Sequence, residues 1–280
     1  MKAQEETAKI QLSEIRSGNH FFFQVVGDES SKVIADSMKA FTSNNGTDGA
    51  PCDVKVGKLV AALFNDGDGK SWYRAKIIEK KGSKATVLFL DHGNLASVPI
   101  ATHLRPLDPA LGTDRIPAAA KEAVLALTKV RDINDEYGHE AGTFLQAAAW
   151  GKEITARIFC QSEGKLVVAL TNPDNDAETI NEALISSGLA LNIKPREIDI
   201  LSRKMVDSKN LKSLSDKINS SLNKAKRSRV GMWRHGDIDD DEEDGFEVEF
   251  SYRQTLLLLH LPHHTQYLSK FDGVWHEQHS

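Results

Sequence analysis

Between Gly57 and Leu107 the chain fits four strand-like runs into about fifty residues: Leu59 to Phe64, Trp72 to Glu79, Ala85 to Leu90 and Ala96 to Pro99. The gaps between them are Asn65-Asp-Gly-Asp-Gly69, Lys80-Lys-Gly-Ser83 and Asp91-His-Gly-Asn94, each with a glycine able to take the positive φ that tight hairpins need. No helix-length segment intervenes to carry a parallel crossover, so these strands must pair antiparallel with their neighbours. The segment predicts a small, strongly bent antiparallel barrel.

The flanks mix both periods. Ile10 to Ile15 and Phe21 to Val26 predict a hairpin around Arg16-Ser-Gly-Asn19. Val33, Ile34, Met38 and Phe41 recur at helical steps, so Ser30 to Phe41 predicts a helix and Thr42 to Pro51 an exposed loop. Beyond the barrel, Ala-rich Pro117 to Val130 favours helix, as does Glu140 to Trp150. Glu153 to Gln161 and Lys165 to Thr171 predict a second hairpin, and Ala177 to Ser187 a helix closed by Gly188. Ile200 to Arg229 predicts one long amphipathic helix burying Leu201, Met205, Leu211, Leu214, Ile218 and Leu222. No internal repeat recurs at a fixed period.

Charge is unevenly spread. The net charge is −5, but Asp237 to Asp244 alone carries seven acids, while Arg196 to Arg234 carries eleven Lys or Arg against four Asp or Glu. A basic helix thus leads into an acidic run, which suits a surface for acidic partners, with Lys224, Lys226, Arg227 and Arg229 as candidate nucleic-acid contacts, or equally a solvated face beside a soluble tail. Of the 280 residues 40% are hydrophobic and 27% charged, as in ordinary globular chains. The longest apolar run, Leu256 to Leu259 with Leu261, is far short of the ~20 residues of a spanning helix, and Met1 to Ile10 has no signal-peptide core, so neither membrane association nor secretion is expected. Cys52 and Cys160 form no disulfide framework and no CxxC pair, which suits a reducing compartment, the cytoplasm and also the nucleus.

Phe64, then Ser71-Trp-Tyr-Arg-Ala75, then Val87-Leu-Phe-Leu-Asp-His-Gly-Asn94 resembles the Tudor domain pattern of an aromatic, a Trp-Tyr-Arg-Ala strand and an aromatic, hydrophobic, Asp-Tyr-Gly-Asn corner. Ile180 to Ala190 and Ala225 to Asp237 resemble the C-terminal helices of a staphylococcal-nuclease-like repeat. The order is similar to the C-terminal extended Tudor region of the Tudor staphylococcal-nuclease family. The resemblance implies an α+β, mainly β fold: a Tudor barrel at 51–110 inserted into a nuclease-like OB fold, with residues 1–50 supplying its first part and the joining helix and 111–236 its second. Residues 237–280 then read as an acidic, unstructured tail. The family's upstream repeats are missing, so the chain reads as a fragment, an incomplete gene model or a genuinely short protein.

The family reads methylated arginine, and the resemblance places its cage at Phe64, Tyr73, Phe89, His92 and Asn94. Methylation keeps the guanidinium charge but spreads it over apolar methyls, so aromatic faces attract it, each worth roughly 0.5–2 kcal/mol. Asn94 can add an orienting hydrogen bond. Phe64, Tyr73 and Phe89 could also be plain core rings. Alternation decides part of this, because adjacent Trp72 and Tyr73 must face opposite sides. His92 departs from the family's tyrosine; its face is smaller, and an imidazole protonated below about pH 6.5 would repel a cation.

The implied partners are proteins with methylated Arg-Gly tails, as in splicing or small-RNA machinery, with RNA as a second partner. The family's calcium-dependent RNA nuclease chemistry needs carboxylates on a metal and arginines on the phosphate. This chain brings Glu153, Arg157 and little else, so no catalytic residue is expected. Asp66-Gly-Asp-Gly69 mimics a calcium loop without its closing Glu, and His260, His263, His264, His276 and His279 lack a recurrent ligand spacing. No metal and no cofactor is expected.

Overall fold

The computed structural model describes residues 3–65, 67, 69–175, 177–236, 238 and 246–247, the last two by backbone alone. The carboxylates of the acidic run, Asp66 and Asp68 of the calcium-loop mimic, and the histidine-rich stretch 248–280 lie outside the described residues.

The chain opens with β1 (Glu6–Ile15) and β2 (His20–Val25), the expected hairpin. Helix α1 (Glu29–Asn45) follows, capped by Asp28, whose carboxylate accepts from the Ser30 amide at 3.0 Å. The helix runs one turn into the expected loop, where the Thr42 and Asn45 side chains donate back to the carbonyls of Met38 and Phe41. Next come β3 (Leu59–Asn65), β4 (Lys70–Lys81), β5 (Lys84–Phe89) and β6 (Leu95–Pro99), then a short helix α2 (Ile100–His103) and β7 (Leu104–Pro106). These strands form one antiparallel sheet in the order β6-β5-β4-β3-β7, bent so that one face encloses Val60, Ala62, Ala75, Ile77, Val87, Phe89, Val98 and Leu104.

Strands β8 (Lys121–Leu125) and β9 (Thr128–Arg131) occupy the Ala-rich stretch that the sequence predicts as helix. Non-local pairing overrides propensity here: β8 lies antiparallel to β2 and parallel to the later strand β11, which closes the second barrel. After α3 (Glu136–Ala149) come β10 (Ile154–Ser162) and β11 (Lys165–Leu170), the second hairpin. The closed barrel has the order β1-β10-β11-β8-β2, so strands from both sides of the inserted sheet complete it.

The chain continues through α4 (Ile180–Ser186), β12 (Leu191–Asn192), α5 (Pro195–Arg203) and α6 (Lys209–Ser228). The single helix expected over Ile200 to Arg229 is therefore two. The break lies where residues 204–206 bond to the N-terminal Ala3: its amide donates to the Lys204 carbonyl and its carbonyl accepts from Val206, both at 2.8 Å. The backbone of β13 (Phe246–Glu247), in the stretch expected to be unstructured, pairs with Arg131 and Val130 of β9. Helices α3, α4 and α6 pack Leu145, Leu184, Ile185, Leu211, Leu214 and Ile218 onto the same core as Phe21, Phe23 and Phe159 of the closed barrel.

Candidate functional site

Strand β4 presents different chemistry on its two faces. Trp72 and Arg74 share one face; Tyr73 and Ala75 share the other. Fully buried Trp72 packs with Ile34 and Met38 of α1 and donates from its indole to the Gly46 carbonyl at 2.6 Å. Tyr73 lies opposite Ala62 of β3, and Ala75 opposite Phe89 of β5, which puts Phe64, Tyr73 and Phe89 on one face.

The rings converge. Phe64 lies 5.1 Å from Phe89 and 6.4 Å from Tyr73 between centroids, and Tyr73 lies 6.0 Å from Phe89 and 5.5 Å from His92. Every pair is steeply inclined, at 60–86°, so the rings stand as adjoining walls rather than a stack. Phe89, 1% exposed, is the floor, while Phe64, Tyr73, His92 and Asn94 are half-buried. Asn94 closes the corner through its carbonyl, which accepts from the Phe89 amide at 2.9 Å. Adjoining half-buried aromatic walls can hold a flat apolar cation.

Sequence reasoning named the rings but not what holds them. Arg74 is completely buried and clamps Asp91 through two parallel hydrogen bonds, Nε to Oδ2 at 2.9 Å and Nη2 to Oδ1 at 2.5 Å. It also donates to the carbonyls of Leu111 (3.1 Å), Ile116 (2.7 Å) and Pro117 (3.0 Å), and Asp91 accepts from the Ala119 amide at 3.0 Å. The residue preceding His92 is thus tied both to β4 and to the linker that returns to the closed barrel. The signal was present in the sequence, since a charged residue inside an otherwise apolar strand is buried only with a partner.

The corner has a further anchor. Gly93 has φ +91°, and a Cβ there would lie 2.2 Å from Cγ of Phe22, so only glycine allows the corner to seat against β2. Phe22 in turn packs on Leu88 and Leu95. On the neighbouring strand, burial pushes the Glu14 carboxyl above its usual range, and Arg16, 3.7 Å away, draws it back.

The basic candidates cluster at the end of α6. Lys224, Arg227 and Arg229 are exposed, while Lys226 is half-buried with its ammonium 4.4 Å from the centroid of the buried Trp233 ring. Arg229 ends the helix in the left-handed conformation. Arg157 pairs with Glu5 at 3.4 Å, away from the rings. Among the described residues no group of three His, Cys, Asp or Glu could hold a metal, and no helix is long and apolar enough to cross a membrane.

A bent antiparallel sheet inserted between the strands of a closed barrel, with rings gathered at a His-Gly-Asn corner, is the extended Tudor arrangement. The model of the Tudor domain family matches residues 3–127 of this chain. It is 27% identical over 260 residues to Ribonuclease TUDOR 1 of Arabidopsis thaliana, covering 86% of this chain and 25% of that protein. The chain thus spans about a quarter of that relative's length. In structure it is similar to the extended Tudor domain of Drosophila melanogaster Tudor-SN, with a TM-score of 0.67 and 24% identity over 82% of this chain and 100% of the other. It is also similar to extended Tudor domain TD3 of mouse TDRD1, solved with a MILI peptide containing dimethylarginine, at a TM-score of 0.59 and 23% identity over 69% and 97% of the two chains.

Proposed function

We propose that this chain is a non-catalytic adaptor that binds methylated arginine in Arg-Gly-rich protein tails, with Phe64, Tyr73, Phe89, His92 and Asn94 as the binding residues. The observation that carries this reading is the cluster of four inclined rings, three half-buried and one forming the floor, beside Asn94. The mouse TDRD1 domain, of the same fold, was solved with a dimethylarginine peptide, which supports the ligand class. A methylated guanidinium entering between the walls gains cation–π attraction and buries its methyls, whereas an unmodified one gives up more hydration for the same contacts. RNA processing or small-RNA silencing complexes are the proposed setting, in the cytoplasm and also the nucleus.

Titration with an Arg-Gly peptide in unmodified, asymmetric and symmetric dimethylated forms tests the proposal. A methylated form should bind at least about tenfold more tightly than the unmodified one, about 1.4 kcal/mol. Equal binding of all three rejects the reader function. His92→Tyr, which enlarges one wall, should tighten binding several-fold.

A second reading rests on α6, whose outward side exposes Lys209, Lys212, Lys217, Lys224 and Arg227 against Asp216. That side would contact an RNA backbone without sequence preference, and its affinity would fall steeply with salt where methylarginine binding would not.

A further inference from the structure

We infer that Arg16 and Gln24, side chains of the closed barrel, are positioning residues for the aromatic site of the neighbouring sheet. The inference rests on the methylarginine reading above and adds to it a mechanism by which one barrel controls the other's affinity.

Within its own sheet the Asp91–Asn94 corner is held at its ends: the Gly93 amide donates to the Phe89 carbonyl at 2.8 Å, and the Phe89 amide to the Asn94 carbonyl at 2.9 Å. The carbonyls of Asp91 and Gly93, on either side of His92, find side-chain donors on the other barrel. Gln24 Nε2 donates to the Asp91 carbonyl at 2.5 Å, and Arg16 Nη2 to the Gly93 carbonyl at 2.5 Å. Arg16 is itself held, with Glu14 3.7 Å away and its guanidinium 5.6 Å from the centroid of the Phe22 ring. Phe22 is the side chain that Gly93 rests against.

The two contacts therefore fix the Asp91–His92 and Gly93–Asn94 peptide planes, the first leading into His92 and the second into Asn94. Rotation of either plane would swing His92 or Asn94 relative to Tyr73. A binding site loses its advantage when a wall moves by about 0.5 Å or more, because cation–π attraction depends on the distance to the ring face. Gln24 and Arg16 come from β2 and from the turn of the β1–β2 hairpin, which also forms ladders with β8 and β10, so the orientation of His92 is set by the closed barrel's register. The aromatic site is a property of the two barrels together.

The test replaces both donors with side chains of similar length and no hydrogen-bonding group, Arg16→Met with Gln24→Met. Three quantities are measured: affinity for a dimethylarginine-glycine peptide and its unmodified counterpart, hydrogen exchange of the Gly93 and Asn94 amides without ligand, and the melting temperature. Affinity for the methylated peptide should fall about tenfold for each lost bond while the unmodified peptide changes little, so discrimination narrows. The Gly93 amide should exchange faster while amides of the closed-barrel core, such as Phe23, keep their protection. Arg16→Lys, which retains a donor, should recover most of the Arg16 share. Gln24→Met alone leaves the contacts of Arg16 intact and serves if the double variant does not fold. Unchanged discrimination with unchanged Gly93 exchange overturns the inference, as does a loss of protection shared equally by all core amides. Should the wild-type protein bind neither peptide, the reader function falls, and Gly93 exchange alone then upholds or overturns the positioning role.

Discussion

The two barrels treat their aromatic rings in opposite ways. In the closed barrel Phe21, Phe23 and Phe159 are sealed, because α3, α4 and α6 lay Leu145, Leu184 and Leu211 over the same core. The bent sheet has its long helix on the other face, where α1 meets Trp72, so Phe64, Tyr73 and His92 stay half-buried. Phenylalanine serves as filling in one barrel and as wall in the other. What separates the roles is whether a helix covers the open end, not the identity of the ring. A β-barrel with an uncovered aromatic end keeps apolar surface available to a ligand, and folding stability bears the cost of that exposure.

The contrast can be broken most severely at the joint. Arg74→Met should strand the Asp91 carboxylate in a buried setting and leave the Leu111, Ile116 and Pro117 carbonyls without their donor, costing about 3–5 kcal/mol. Denaturant unfolding followed in parallel by tryptophan fluorescence and by peptide binding would check this, with binding expected to fail along with stability. Neighbouring positions on β4 and β3 should then separate the two faces. Trp72→Ala should cost about 3–5 kcal/mol through loss of the packing against α1, whereas Phe64→Ala, at a half-buried wall, should cost about 1 kcal/mol of stability yet lower methylated-peptide affinity about tenfold or more. Equal effects of the two substitutions on stability and binding would erase the distinction between packing face and ligand face.

The smallest expected effect concerns the seam. The Glu14 carboxyl has its folded-state pKa raised by burial, against the pull of Arg16. The folded state therefore holds this proton more tightly than the unfolded chain, and the contribution to stability is fully present below the unfolded value of roughly 4.3 and lost as pH rises through the raised one. Glu14→Gln should flatten that decline, leaving the variant slightly more stable than the wild type at pH 7 and level with it in acid. Melting temperatures across pH 4 to 8 would show this, and parallel curves for the two proteins would count against the assignment.

Much of the bent sheet is legible in the chain because its determinants are local. Alternation over Trp72 to Glu79 and glycines in three consecutive gaps dictate short antiparallel hairpins, and adjacency alone sends Trp72 and Tyr73 to opposite faces. Local signals failed where distant partners decide. Ala119, Ala120, Ala123 and Ala126 favour helix, but β8 completes a barrel in which its neighbours are β2 and β11, and that ladder outweighs alanine propensity. The break between α5 and α6 depends on Ala3, some two hundred residues earlier in the chain. Arg16 sits in a stretch that reads only as a turn, and nothing nearby in sequence indicates that its partner is the carbonyl of Gly93.

The amino-acid order alone determined that a strongly bent, glycine-turned antiparallel sheet must form and that its aromatics alternate between two faces, since both follow from backbone sterics and a period of two. Only the tertiary structure decided which rings remain open and what holds the corner beside them. Those outcomes depend on side chains that meet across separate barrels, where burial and hydrogen bonding are set by partners that no local pattern names.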